Sequence, residues 1–185
     1  MGSNPIVRST SLNIMMTYYQ KIQIRNEAAI AEKYSYTTND AGILLAVKLT
    51  EDHHPWLEEQ LGDDLNIVTG KAHKIRTAIV FIQVGNHKRG IHVDGVKDFW
   101  ALNIPLVNCR SAEMSWYDGN HTKKLHNNPG GLAHFRLTWE EKPRKIESAM
   151  LDSPLIVKVD TPHGVENFSS EPRSILSLKF TPELF

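Results

Sequence analysis

The chain contains a single cysteine, Cys109, among its 185 residues. One thiol cannot form an intramolecular disulfide, which excludes a disulfide-stabilised secreted fold and is typical of a protein from a reducing compartment. We expect Cys109 to be a small buried side chain. The sequence also lacks an apolar run of membrane-spanning length, and its start lacks the basic and apolar regions of a signal peptide. These absences predict a cytoplasmic protein.

Neither sign of charge is in excess. Lysine plus arginine and aspartate plus glutamate both total 21, so the formal net charge is zero when the histidines are neutral. A protein that binds nucleic acid through its overall field carries surplus positive charge. The balance therefore does not favour a nucleic-acid partner, and a small molecule or a protein side chain is the expected substrate.

Length and patterning predict one domain. A chain of this size can build one substantial core but is short for two. Residues 1–14 show no hydrophobic period, and we expect a disordered leader or a non-native start there. Residues 15–185 are expected to form a single domain with its core at about 75–180.

The N-terminal third predicts one strand and two helices. The strand is expected from Tyr18 to Ile24, and the first helix from Glu27 to Tyr36. Thr50 is followed by acidic residues, which is typical of a helix start, and Gly62 is expected to end that second helix.

From Ile75 onward, short apolar runs alternate with turn residues without an intervening helical period. Such spacing is typical of an antiparallel sandwich or barrel. With the helices packed outside, it predicts a mainly β fold with flanking helices, a double-stranded β-helix or jelly roll. The polar segment 118–131 is expected to be a mobile loop or a lid. The predicted strands are Thr77–Val84, Ile91–Asp94, Trp100–Val107, Glu113–Tyr117, His134–Trp139, Leu155–Val159 and Ser174–Phe180.

A candidate metal site begins with His92 and Asp94. Alternate side chains of a strand point to the same face, so both can reach one ion. His163 follows a later strand and Pro162, which favours an extended approach, and it is the candidate third ligand. Two histidines and one carboxylate on one face of a metal leave positions open, as non-haem Fe(II) oxygenases require. We therefore predict these three residues as metal ligands and catalytic residues.

Arg173 lies ten residues after His163, beyond a turn-forming segment at 167–172. We expect the chain to reverse there and to bring Arg173 back beside the strand of His163. A guanidinium is costly to bury unless it binds a carboxylate, ideally through two parallel hydrogen bonds. Arg173 is therefore a candidate carboxylate-binding residue.

The layout of His92, Asp94, His163 and Arg173 resembles that of the Fe(II)- and 2-oxoglutarate-dependent oxygenases, over about residues 75–180. The resemblance implies a jelly roll in which the two histidines and Asp94 hold Fe(II). It implies that 2-oxoglutarate chelates the iron and that Arg173 holds its far carboxylate. It further implies O2 as co-substrate and hydroxylation of a substrate carbon, with release of succinate and CO2.

Further segments refine this resemblance. Ala101–Leu106 and Pro162–Asn167 are also similar to the aspartyl/asparaginyl β-hydroxylase branch. Many family members carry Arg-x-Ser, whereas this chain has Ile175 at the serine position, and Ser177 is the candidate replacement on the same strand face. Asn103 is a candidate partner of the iron-chelating carboxylate of 2-oxoglutarate, or alternatively a buried asparagine that satisfies backbone groups.

Two other functions fit the same residues. One is a cupin-like metal enzyme, an isomerase or a dioxygenase, that does not use 2-oxoglutarate. The other is a non-catalytic binding module on a jelly roll, because one scaffold hosts many functions. Arg173 distinguishes the oxygenase from the cupin-like enzyme, since the latter has no need of that buried cation.

Overall fold

The computed structural model of the chain describes residues 18–35, 44–95, 99–127 and 133–185. The expectation for residues 1–14 lies outside these ranges. The helices are α1 (Glu27–Tyr34) and α2 (His54–Thr69). The strands are β1 (Tyr19–Lys21), β2 (Leu44–Lys48), β3 (Lys74–Gln83), β4 (His87–Lys88), β5 (His92–Asp94), β6 (Trp100–Val107), β7 (Ala112–Asp118), β8 (His121–Asn127), β9 (Ala133–Trp139), β10 (Arg144–Met150), β11 (Leu155–Lys158), β12 (His163–Asn167) and β13 (Arg173–Thr181).

The strands form two antiparallel sheets, which confirms the prediction of a mainly β jelly roll with flanking helices. The first sheet has the order β1-β11-β6-β13-β3-β2. The second has the order β10-β7-β12-β5-β9-β8, and β4 pairs with β12 beside that path. One core cluster joins the first sheet to the helices, and another fills the space between the sheets.

Residue alternation assigns the two faces of the first sheet. On β13, Leu176 and Leu178 are fully buried in the core cluster that contains the helices. Successive side chains of a strand point to opposite faces, so Arg173, Ile175 and Ser177 face the second sheet. The same alternation on β3 and β6 turns the side chains at 83 and 103 toward the space between the sheets.

Helix α2 runs past the glycine that was expected to end it. The residues around Gly62 leave open space, and Leu61 and Leu65 continue the buried stripe into the core. One glycine costs a helix only about 1 kcal/mol relative to alanine, which core packing outweighs. The helix instead ends at Gly70, which has a φ of 73° and donates its N–H to the Asn66 carbonyl. No helix in the described residues is long and apolar enough to cross a membrane.

This packing predicts a large difference between two positions on α2. Leu61 is completely buried, whereas Ile67 is 79% exposed. We expect Leu61→Ala to lower the free energy of unfolding by about 2–5 kcal/mol, because it leaves a cavity in the core. The matched control, Ile67→Ala, should change it by less than about 0.5 kcal/mol. Urea denaturation measures both values, and equal effects would contradict this assignment of the helix face.

The polar segment 118–131 is not a loop throughout. Residues 121–127 form β8, which pairs with β9 along its whole length at the edge of the second sheet. The edge position explains the misleading composition, because an edge strand carries polar and charged side chains without losing its hydrogen bonds. Residues 128–131 lie outside the described part of the chain, so the prediction of a lid is untested there.

Candidate metal centre

Strand pairing brings the two predicted histidines together. β5 and β12 are neighbours in the second sheet, and His92 and His163 are directly opposite each other in their register. Their ring centroids are 4.5 Å apart, and each residue is only 4% exposed. Asp94 lies two residues beyond His92 and points to the same face. Residues separated by about 70 positions in sequence therefore meet at one point.

Each histidine is oriented by a backbone carbonyl two residues earlier in the chain. His92 Nδ1 lies 2.9 Å from the Gly90 carbonyl oxygen, and His163 Nδ1 lies 2.8 Å from that of Thr161. A carbonyl oxygen can only accept, so Nδ1 must carry the proton in both rings. In a neutral imidazole this leaves the lone pair on Nε2, the arrangement that carbonyl-oriented metal-binding histidines adopt.

The two Nε2 atoms converge on the Asp94 carboxylate. Oδ1 of Asp94 lies 3.6 Å from His92 Nε2 and 3.8 Å from His163 Nε2, and the three candidate ligand atoms all lie within 4.8 Å of one another. Burial lowers the pKa of both histidines, so they are neutral at pH 7. Three electron-pair donors thus face one another without a proton between them, and a bound cation would satisfy all three.

The second oxygen of Asp94 is occupied by a lysine that sequence reasoning missed. Lys179 Nζ donates to Asp94 Oδ2 over 2.9 Å. Burial alone would raise the pKa of the Asp94 carboxyl, but Lys179 and the two histidines lower it below its usual range. Asp94 is therefore a carboxylate, held by one oxygen and free to offer Oδ1 to an ion beside the histidines.

A cavity of about 550 Å³ opens beside this group, and its walls come from both sheets. All the residues predicted for the site line it: His92, Asp94, His163, Asn103, Arg173 and Ser177. Its volume is within the range of pockets that bind small molecules. The structure therefore brings the predicted site residues to one cavity.

Arg173 enters the cavity from a different direction than expected. It does not lie beside the strand of His163, because β13 belongs to the first sheet, where Arg173 pairs with Gln83. The segment after β12 crosses from one sheet to the other instead of making a local reversal. Arg173 thus faces the two histidines across the cavity, at a distance that leaves room for a ligand between them.

The guanidinium of Arg173 is only partly satisfied. Its Nε donates to Gln83 Oε1 over 2.8 Å, and Gln83 is itself oriented because its Nε2 donates to the His87 carbonyl over 2.8 Å. The residue is 4% exposed, and Nη1 has no hydrogen-bond partner among the described residues. Burial lowers the pKa of Arg173. An unpaired buried donor on a charged group is costly, so the cavity fits an anion at this end.

Asn103 and Ser177 lie between the two ends of the cavity. They are directly opposite each other on β6 and β13. The buried Oδ1 of Asn103 has no hydrogen-bond partner in the described structure, so this side chain does not satisfy backbone groups through that atom. Rotation of an amide by 180° exchanges its donor and acceptor, and either can therefore face a ligand. Ser177 is half-buried and offers a hydroxyl beside it.

Comparison with known proteins places this geometry among related folds. No protein-family model and no curated protein matches the chain. AviO1 from Streptomyces viridochromogenes Tue57 aligns with a TM-score of 0.50 and 11% identity, over 88% of this chain and 89% of that one. The non-heme alpha ketoglutarate dependent carbocyclase SnoK from nogalamycin biosynthesis aligns with a TM-score of 0.50 and 13% identity, over 88% and 79%.

Other matches have lower scores. An oxidoreductase of the 2OG-Fe(II) oxygenase family from Burkholderia pseudomallei aligns with a TM-score of 0.49 and 12% identity, over 85% of this chain and 78% of that one. Oxalate decarboxylase from Bacillus subtilis also aligns, at a TM-score of 0.35, which carries no argument. At these identities the likeness shows the fold alone. The chain shares its architecture with structures that include 2-oxoglutarate- and Fe(II)-dependent oxygenases.

Proposed function

We propose that the chain is an Fe(II)- and 2-oxoglutarate-dependent oxygenase that hydroxylates a substrate carbon and releases succinate and CO2. The observation that carries this proposal is the pairing of two incomplete groups in one cavity. One is the set of three donor atoms from His92, Asp94 and His163. The other is the buried guanidinium of Arg173, with an unsatisfied Nη1.

The donor set suits Fe(II). Two imidazole nitrogens and one carboxylate oxygen on one side of an ion are typical of non-haem Fe(II) oxygenases. His92, Asp94 and His163 would hold the metal, and the carbonyls that bind each Nδ1 fix the ring orientations. When bound, Fe(II) supplies the activation of O2. The chain itself contributes the open coordination geometry and a largely buried cavity.

The opposite wall suits 2-oxoglutarate. This dianion carries a 2-oxo acid at one end and a carboxylate at the other, and the cavity offers a metal-binding group and a cation at opposite ends. Arg173 would bind the far carboxylate, and the charge-assisted hydrogen bond would satisfy Nη1. Asn103 and Ser177 would contact the co-substrate between these ends. A cupin-like enzyme that does not use 2-oxoglutarate has no role for this unsatisfied cation.

Three finer assignments are also proposals. The likeness of Ala101–Leu106 and Pro162–Asn167 to the aspartyl/asparaginyl β-hydroxylase branch suggests a side-chain or small-molecule substrate of that kind. Hydroxylation is the reaction that we expect among the oxidations open to such a site. The single cysteine still predicts a cytoplasmic location.

The proposal is tested by incubating the purified protein aerobically with Fe(II) and 2-oxoglutarate and measuring succinate. We expect slow succinate formation even without a substrate, and none when Fe(II) is replaced by Zn²⁺. Asp94→Asn should lose most of this turnover, because an amide cannot supply the carboxylate charge to the ion. Metal binding without any succinate, at any concentration of 2-oxoglutarate, would favour the cupin-like alternative.

A further inference from the structure

A second pocket adjoins the cavity that holds the candidate metal centre. It shares part of its wall with that cavity, and the rest of its wall includes Ile79, His134 and Lys179. Its volume is about 420 Å³. We call it the outer pocket. The shared wall consists of Phe81, Arg89, Asp94 and Ser177.

Arg89 stands at the boundary between the two spaces and is not used by the proposed cofactor site. Its guanidinium lies 5.6 Å from the centroid of the Phe81 ring. Its backbone is fixed, since its N–H donates to the Val165 carbonyl over 2.8 Å. Burial lowers the pKa of Arg89, and the charge of Asp94 opposes that shift. The side chain forms no ion pair or hydrogen bond with any described residue, so its charge has no direct partner.

The charges of the outer pocket do not balance. Asp94 is the one carboxylate among its described lining residues, and Lys179 already forms an ion pair with it over 2.9 Å. Arg89 therefore leaves one uncompensated positive charge before any metal is bound. A divalent ion at Asp94 would add to this excess. A single negative charge on the ligand would compensate Arg89.

The other walls describe the rest of that ligand. Ile79 and Phe81 offer apolar surface beside the guanidinium, and His134 and Ser177 offer polar groups. A guanidinium binds a carboxylate through two parallel hydrogen bonds, and its apolar neighbours favour a ligand with an apolar body. The pocket volume fits a small molecule or one side chain.

We propose that the outer pocket binds the substrate that is oxidised, and that this substrate carries a carboxylate which pairs with Arg89. The assignment rests on the proposed oxygenase function for the word oxidised, but the binding of a carboxylate at Arg89 does not depend on it. Arg173 and Arg89 then serve two different anions. Arg173 binds the co-substrate at the inner end, and Arg89 determines specificity at the outer pocket.

The test compares acids with their own primary amides, which differ in charge but little in shape. Phenylacetate, hexanoate and N-acetylglycine are each titrated against the corresponding amide, by ligand-observed NMR. The titrations use both metal-free protein and protein saturated with Zn²⁺ and 2-oxoglutarate. We expect at least one acid to bind tenfold or more tightly than its amide, in both states. In Arg89→Met the acid should bind no better than the amide.

Matched variants give the test its controls. Arg136→Met also removes one arginine charge from β9, at an exposed position that does not line the pocket, and should keep the preference for acids. Arg173→Met should keep it as well. Thermal unfolding confirms that each variant is folded.

Several outcomes would overturn the inference. They are an absence of any preference for acids in the wild-type protein, a preference that survives Arg89→Met, or tighter Arg89-dependent binding of phenyl phosphate than of phenylacetate. A loss of 2-oxoglutarate affinity in Arg89→Met that exceeds the loss in Arg173→Met would also overturn it, because Arg89 would then be the co-substrate residue. If 2-oxoglutarate does not bind at all but the Arg89-dependent preference persists, the oxygenase function fails and the carboxylate site stands.

Discussion

Replacing His163 by alanine should weaken Fe(II) binding by at least about 100-fold, since changes to groups that merely orient a metal ligand already cost 10–100-fold. His163 supplies one of the three donor atoms and lies opposite His92 in the strand register. The measurement is an anaerobic competition titration against a chelator of known affinity. Succinate formation should disappear together with the metal.

His134→Ala is the matched control for this variant. The ring of His134 lies 5.8 Å from that of His92, but His134 is not part of the group of donor atoms. Its removal should leave Fe(II) affinity nearly unchanged. Equal losses in the two variants would mean that a general perturbation of the histidine cluster, and not ligation by His163, explains the effect.

Replacing Arg173 by methionine should weaken 2-oxoglutarate binding by at least about 30-fold, because removing one partner of a buried charge pair costs about 2–5 kcal/mol. Fe(II) affinity should be retained, since Arg173 lies on the opposite wall from the metal ligands. Isothermal titration with 2-oxoglutarate, on protein loaded with Zn²⁺, measures the change without turnover.

Arg173→Lys separates charge from shape at the same position. Lysine keeps the positive charge but loses the planar pair of donors, so we expect an intermediate loss of 2-oxoglutarate affinity. An unchanged affinity in Arg173→Met would remove the main support for 2-oxoglutarate as co-substrate. In that case the metal group would fit the cupin-like reading better.

Strands that are buried on both faces could be predicted from the sequence. Trp100–Val107 was predicted with the bounds that the structure has for β6. The predicted strand Ser174–Phe180 differs from β13 by one residue at each end. Continuous apolar runs give a strong signal when neighbouring strands and packed layers bury both sides of a strand.

The polar edge strands could not be predicted in this way. β8 and β10 lie at the two ends of the second sheet, and most of their side chains are exposed. Their sequences are rich in charged and polar residues, which blunts an edge against pairing with other chains. The same composition is typical of loops, so the signal for a strand was absent.

The candidate site shows a similar division. The spacing of His92 and Asp94 places both on one strand face, which a local rule is enough to predict. The crossing of Arg173 into the facing sheet depends on its pairing with β3 and β6, and no local pattern encodes that choice. Lys179 could have been found, because it continues the alternation of Arg173, Ile175 and Ser177 on β13.

Arg89 illustrates what the sequence did not reveal. A single arginine near a glycine reads as a solvated side chain, since arginines are mostly exposed. Its position in the wall shared by both pockets follows from the pairing of β4 and β12, which no short-range pattern predicts. Buried cations of this kind become visible only once the sheets are assembled.

The central claim is that one cavity binds Fe(II) and 2-oxoglutarate together. The most direct measurement is an anaerobic titration of the Fe(II)-loaded protein with 2-oxoglutarate, monitored by visible absorption for the weak metal-to-ligand charge-transfer band of the chelate. We predict that the band appears and saturates in the wild-type protein, and that it weakens in both Asp94→Ala and Arg173→Ala. Fe(II) binding without any band, at all 2-oxoglutarate concentrations, would contradict the claim.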